Sequence, residues 1–429
     1  MDLKKLSLYL KEPIPNSSIV IFRIGFSLIL LIQTYYFIAH DFIGENIIKP
    51  LILFPFINEL EPMSKINLMI LGYIMLISNV GMLINKIARI STLIFLLSFT
   101  YFWLLDKGYF NNHYYFISLI CFLIFLVNKK SDFKNTIYVP RMYLFGLQAM
   151  IFITYFISGV NKLNPYWLFD LQPMAHILEL KSEITNNNIF KEKWVILFGV
   201  YFGLFFDLFI GFLLFIKKTR TLGFILVFFF NIMNYYIFYD VGEIGVFPFL
   251  MISTLILFIN PKTLSRRIAN NKEKIILKND KAINRFIMIF LILQLILPFR
   301  HYLFNGYVDY NGVGQRFSWR MKIMYKESII DYFIVDKMSK KQYHVDISKM
   351  LTNKQYNNIK YFPDLIVPLA LKIKSEAKEN FNIKYAKIIC TYKSKFMGKK
   401  EQLLFSPELD LASIPKNTRT NKWLFELNN

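Results

Sequence analysis

Apolar residues run almost unbroken through nine stretches of residues 1–299: Ser18 to Ile38, Ile66 to Ile84, Ile90 to Leu105, His113 to Val127, Tyr143 to Val160, Trp194 to Ile216, Leu222 to Tyr239, Ile244 to Asn260 and Phe286 to Phe299. A helix needs about 20 such residues to cross a hydrocarbon core of about 30 Å, and several of these stretches are shorter. The pattern predicts an α-helical polytopic membrane domain with about nine transmembrane helices over residues 1–299. An odd number would put the termini on opposite sides. After Phe299 the apolar runs shorten and charges mix throughout, which predicts a separate, small, β-rich α+β extracytoplasmic domain over residues 300–429. Alternation in Arg320–Lys326, Ile329–Val335 and Ala386–Tyr392 reads as strands. Leu365–Phe381, with Pro363 at its start, reads as a helix.

Composition supports the membrane reading: the 429 residues are 55% hydrophobic and 18% aromatic, with mean hydropathy +0.38. A formal net charge of +22 suggests nucleic acid in a soluble chain. Here the cations follow the rule that loops on the cytoplasmic side hold the excess of Lys and Arg. With the N-terminus cytoplasmic, the inner segments hold Lys4, Lys5 and Lys11; Lys86 and Arg89; Lys129, Lys130, Lys134 and Arg141; Lys217, Lys218 and Arg220; and the run from Lys262 to Arg285 that includes Lys272. The outer loops hold fewer cations, Lys49, Lys65, Lys107, Lys162, Lys181, Lys191 and Lys193, among acids such as Glu45, Asp170, Asp240 and Glu243. The bias accounts for the charge without nucleic acid and puts the C-terminal domain outside. Cys121 and Cys390 offer neither a disulfide framework nor a zinc site. No cleavage signal follows a short apolar core at the N-terminus, so the first span reads as an uncleaved anchor.

The outer helix ends and loops collect the polar residues that could do chemistry. They are Asp106 to Asn111, Asn112 and His113; Asn161 and Lys162; Asp240 to Glu243; Arg300 and His301; and Arg316 to Trp319 and Arg320. Each has a bland alternative. A lysine at the end of a span is usually a snorkelling anchor, Trp and Tyr there form an interfacial belt, and the Asn residues beside His113 can simply cap a helix. Asp207 differs, because a carboxylate within a span is costly and by default functional or paired. Arg23 is its nearest partner by type.

Taken in order, the segments Leu105–His113, Ser158–Trp167, Asp207–Leu214, Ile244–Pro248 and Leu297–His301 through Arg316–Met321 resemble the vitamin K-dependent gamma-carboxylase family and its horizontally transmembrane relatives. The end of the chain, Ser406–Asp410 to Thr420–Trp423, resembles that family's end, so the likeness covers nearly the whole sequence. It implies an enzyme that oxidises a reduced naphthoquinone with O₂ to its epoxide. The strong base so generated removes a γ-proton from glutamate, and CO₂ adds. The resemblance makes Lys162 the base that deprotonates the hydroquinone and sets Asn112 and His113 near the quinone, with Asn111, His301 and Asn234 as neighbouring binding residues.

An ammonium has no lone pair for a proton, so the role needs an amine desolvated at an apolar helix end. A fixed cation for a carboxylate substrate is expected at Arg320, next to Trp319. The implied cofactor is reduced vitamin K or menaquinol, with O₂ and CO₂ as co-substrates and no metal. The implied partners are the lipid bilayer and a Glu-containing peptide or protein, in a bacterial inner (cytoplasmic) membrane.

The sequence departs from the family at Asn161, where a second lysine is common, and at Asn231 and Gln315, where histidines are. These bear on carboxylation more than on quinol oxidation. They leave open a quinol epoxidase without protein carboxylation. A non-enzymatic quinone-binding or transport protein, with Lys162 as an anchor, is the reading from another class.

Overall fold

The computed structural model describes residues 3–128, 130, 135–241, 244–268 and 274–427. Lys129, Lys134, Glu243 and Lys272 lie outside the described residues. All nine apolar stretches are helical: α1 Ser17–Ala39, α2 Lys65–Gly81, α3 Ala88–Leu104, α4 Asn112–Val127, α5 Arg141–Asn161, α6 Lys193–Phe215, α7 Arg220–Val241, α8 Phe247–Ser253 and α9 Lys281–Ile296. The expected nine full spans are not all realised. Among the described residues, five helices (α1, α5, α6, α7 and α9 with its 3₁₀ extension to Leu303) are long and apolar enough to cross a membrane. A sixth span would be the pair Phe247–Phe258 and Pro261–Arg267, bent by 93°. The break falls at Asn260, which Pro261 disfavours in the α region. At 17, 17 and 16 residues, α2, α3 and α4 reach only about 25 Å at 1.5 Å per residue.

The chain forms two compact units. The first comprises Met1–Asp41, Ile66–Tyr101 and His113–Leu297. Its central pair is α5 against α6, brought close by glycine. A Cβ on Gly159 would stand 2.7 Å from the Leu208 backbone nitrogen, and one on Gly211 would strike the Phe152 ring. Small residues at such a seam let the backbones approach, which lipid-embedded helices use in place of a hydrophobic driving force. At one end of this unit Pro13–Pro15 (β1) pairs antiparallel with Thr136–Pro140 (β2), and Lys274–Ile276 (β3) pairs parallel with β2. The prolines of β1 suit it to the edge.

The second unit comprises Phe42–Lys65, Phe102–Asn112 and Pro298–Asn429, so two loops from early in the chain belong with the C-terminal residues. Its sheet runs β5-β4-β6-β7, with β4 Lys326–Asp336, β5 Gln342–Val345, β6 Ala386–Phe396 and β7 Gln402–Leu403, all antiparallel. The helix α10, Ile366–Phe381, covers it, and the Tyr332 hydroxyl on β4 donates to the Ile366 carbonyl at 3.1 Å. The strand expected over Arg320–Lys326 is absent: β4 begins only at Lys326. Phe317, Trp319 and Lys322 take positive φ of 61°, 55° and 50°, and left-handed residues at this spacing cannot keep an extended strand.

Asp106 fastens the early loops into the second unit. Its carboxylate accepts from the Gly108 backbone N–H and from Gln355 Nε2, both at 2.6 Å, while Gln355 Nε2 also donates to the Ile52 carbonyl at 2.9 Å. Burial pushes the Asp106 carboxyl up to about 6, only partly offset by the Gln355 and backbone donors and by Arg316. A carboxyl raised on folding contributes stability that is full below its unfolded value near 4 and is lost as pH rises through about 6. The stability of wild type relative to Asp106→Asn is therefore expected to fall by about 2 kcal/mol between pH 4 and 7. Melting both proteins across that range checks it, and a difference flat with pH would refute it.

Candidate active site

The end of α5 is fixed by local chemistry. Pro165 starts a short helix, Pro165–Leu168, and the Asn164 side chain caps it by accepting from the Trp167 N–H at 3.1 Å. The turn lays the Trp167 ring 5.2 Å from Lys162 Nζ. The indole N–H in turn donates to the Val200 carbonyl of α6 at 3.1 Å. Lys162 is thereby covered, at 6% exposed, and the snorkelling-anchor reading does not describe it.

Lys162 Nζ donates to Ser158 Oγ at 3.1 Å and forms an ion pair with Asp207. Asp207 is 4% exposed, so both members are withdrawn from solvent. The partner expected for Asp207, Arg23, instead donates to Asn85 Oδ1 at 2.5 Å. The reason is register. Gly159 lies against Leu208, so the end of α5 faces the middle of α6, and the following turn with Trp167 covers the remainder. Taking two charges out of water is costly, and only close mutual pairing offsets it.

One helical face carries Tyr155, Ser158 and Lys162. The Tyr155 ring meets Phe206 edge-on at 5.4 Å, and Phe206 stacks on Phe230 at 3.7 Å. Asn231 Nδ2 donates to the Tyr155 hydroxyl at 3.3 Å and to the Val227 carbonyl at 2.8 Å. The amine and carboxylate thus have an aromatic wall with a phenol and an amide in it. Asn234 is half-buried on α7, one turn beyond Asn231.

The other expected site residues fall into two groups. His113, in the first unit, stacks face to face on Phe247 at 3.9 Å. In the second unit, Asn112 Nδ2 donates to the Arg320 carbonyl at 3.2 Å, and Asn111 is half-buried just before it. Trp319 is fully buried, and His301 Nδ1 makes a 2.9 Å hydrogen bond with the Pro298 carbonyl. The Arg320 guanidinium is engaged by Asp309, Nε to Oδ1 at 2.7 Å and Nη2 to Oδ2 at 2.5 Å. A substrate carboxylate could use this fork only by displacing a buried one. Asp309 and Tyr155 carried no signal in the sequence beyond residue type.

Residues 11–262 match the model of the HTTM domain, more than half of the chain. Residues 279–429 match that of the vitamin K-dependent gamma-carboxylase lumenal domain. No solved structure matches the chain. Two matches in this order, over spanning helices followed by a sheet-bearing unit, identify an integral membrane protein, and the chain belongs to the HTTM-containing vitamin K-dependent gamma-carboxylase family.

Proposed function

We propose that the protein is a quinol-dependent gamma-glutamyl carboxylase-like enzyme, oriented with its N-terminus cytoplasmic and its C-terminal residues outside, in a bacterial inner membrane. The observation that carries this reading is the buried Lys162–Asp207 pair against Trp167, beside the wall of Tyr155, Phe206 and Phe230. When bound, a reduced vitamin K or menaquinol supplies an acidic hydroxyl and the reducing equivalents for O₂. Asp207 holds Lys162 in place, and Lys162, acting as its neutral amine, accepts the hydroxyl proton. Trp167 keeps water from the amine, and the aromatic wall orients the ring. As the family likeness suggests, Asn112 and His113 serve the reacting groups, the glutamate γ-proton passes to the base that quinol oxidation by O₂ supplies, and CO₂ adds at the γ-carbon.

A second reading has a specific observation behind it. Asn231, where the family has a histidine, bonds Tyr155 and exchanges no proton at neutral pH. This favours quinol epoxidation without protein carboxylation. The test uses purified protein in nanodiscs with reduced vitamin K, O₂, labelled bicarbonate and a Glu-containing peptide. Epoxide and fixed label are both expected; epoxide alone leaves the second reading, and neither product overturns both.

A further inference from the structure

The end of the first unit that carries β1, β2 and β3 takes no part in the proposed chemistry, and its surface is strongly basic. Rings at the ends of three apolar helices meet there. Phe215, the last residue of α6, lies 6.2 Å from Phe145 near the start of α5 and 5.6 Å from Phe258, just before the 93° bend. These rings mark the level at which the apolar runs stop. Just beyond it, Lys217 and Lys218 follow α6 and Lys262 follows the bend, all three exposed. The helix after the bend, Pro261–Ile268, carries Lys262, Arg266 and Arg267 and is too polar for the hydrocarbon, so the bend lays it along the bilayer surface. Its inner face is fastened down: Ser265 is buried with its Oγ 3.3 Å from Thr136 Oγ1 of β2, and Ser17 Oγ donates to the Pro261 carbonyl at 2.8 Å. The three cations are left looking outward.

Acids do not neutralise this face. Its two described carboxylates are engaged: Glu12 pairs with Arg141 at 2.6 Å, and Asp280 caps α9 by accepting from the Ala282 and Ile283 N–H groups at 3.0 and 3.2 Å. Among the described residues, Lys11, Lys217, Lys218, Lys262, Arg266 and Arg267 have no acid partner. We propose that this face binds the phosphate headgroups of anionic phospholipids. The occupant follows from where the charge stands as well as from its sign. The cations begin where the apolar runs stop, which is the depth of lipid phosphates, and exposed apolar side chains stand among them. Ile216 is 52% exposed beside Lys217, and Leu8 is 69% exposed on the helix Leu3–Lys11, whose Tyr9 ring lies 4.2 Å from the Arg141 guanidinium. A phospholipid answers both features, with acyl chains over Ile216 and Leu8 and phosphate oxygens on the cations. A soluble anion would leave the apolar side chains in water. On the orientation proposed above, the face meets the cytoplasmic leaflet.

The test is native mass spectrometry of the full chain in detergent, titrated with phosphatidylglycerol or with phosphatidylcholine of the same acyl chains. Phosphatidylglycerol is expected to bind about tenfold more tightly or better. Lys262→Gln, Arg266→Gln and Arg267→Gln together should remove about tenfold of that affinity and leave phosphatidylcholine binding as it was, which also reports an intact fold. Lys217→Gln with Lys218→Gln, at the neighbouring turn, should weaken it in the same direction. Lys340→Gln, Lys349→Gln and Lys400→Gln together, all exposed in the second unit, should change nothing. Equal affinity of the wild type for the two lipids, or full phosphatidylglycerol affinity in the first two variants, overturns the proposal. So does displacement of the lipid by excess inorganic phosphate, which would assign the face to a soluble anion. The measurement needs neither quinol nor O₂, so its failure is distinct from failure of the proposed reaction.

Discussion

Lys162→Met is expected to lower epoxide formation by about 10² to 10⁴-fold, the range a positioned general base contributes. Methionine matches the length of the lysine stem and keeps the contact with Trp167, so lost packing would not explain the effect. The comparison must be made on folded protein, because the substitution leaves Asp207 buried beside an apolar chain. Initial rates in nanodiscs, normalised to protein that survives size exclusion, read the effect. A variant that makes epoxide at the wild-type rate removes Lys162 from the mechanism and returns it to a structural role. A residual rate that rises with added small primary amines would instead locate the missing function at this amine.

The helices were legible because each apolar stretch is long and uniform, and all nine are helices in the fold. Their role as spans was less legible. Asn260-Pro261 breaks one of them, and α2, α3 and α4 fall short of the hydrocarbon thickness. In the second unit, Ile329–Val335 and Ala386–Tyr392 fall within β4 and β6, where side chains alternate inward and outward. Arg320–Lys326 alternates as well, yet left-handed backbone at Trp319 and Lys322 overrides the pattern. Within the site, chain order could show Lys162 at a helix end and Asp207 inside a helix, but not that they meet. That depends on where α5 stops along α6, which the contact of Gly159 with Leu208 decides and no local period records. The same holds for Arg320, whose partner Asp309 is eleven residues away in sequence, across a loop with no repeating pattern.

Asp207→Asn is expected to destabilise the first unit by about 3–5 kcal/mol, the cost of breaking a buried ion pair from one side. The amide still offers Lys162 Nζ an oxygen, but it brings no charge to balance an ammonium withdrawn from solvent. Lys162→Met should cost a similar amount for the converse reason. If the pair is held as a unit, Lys162→Met with Asp207→Leu should recover most of that stability, since neither charge remains. Its epoxide rate should stay as low as that of Lys162→Met. Chemical denaturation of the wild type, Lys162→Met, Asp207→Leu and the double variant gives the coupling, and epoxide rates on the same samples give the chemistry. Stability restored together with activity would mean that the pair only holds α5 to α6. Stability restored while activity stays lost separates the two roles, with Asp207 positioning the lysine and Lys162 carrying the reaction.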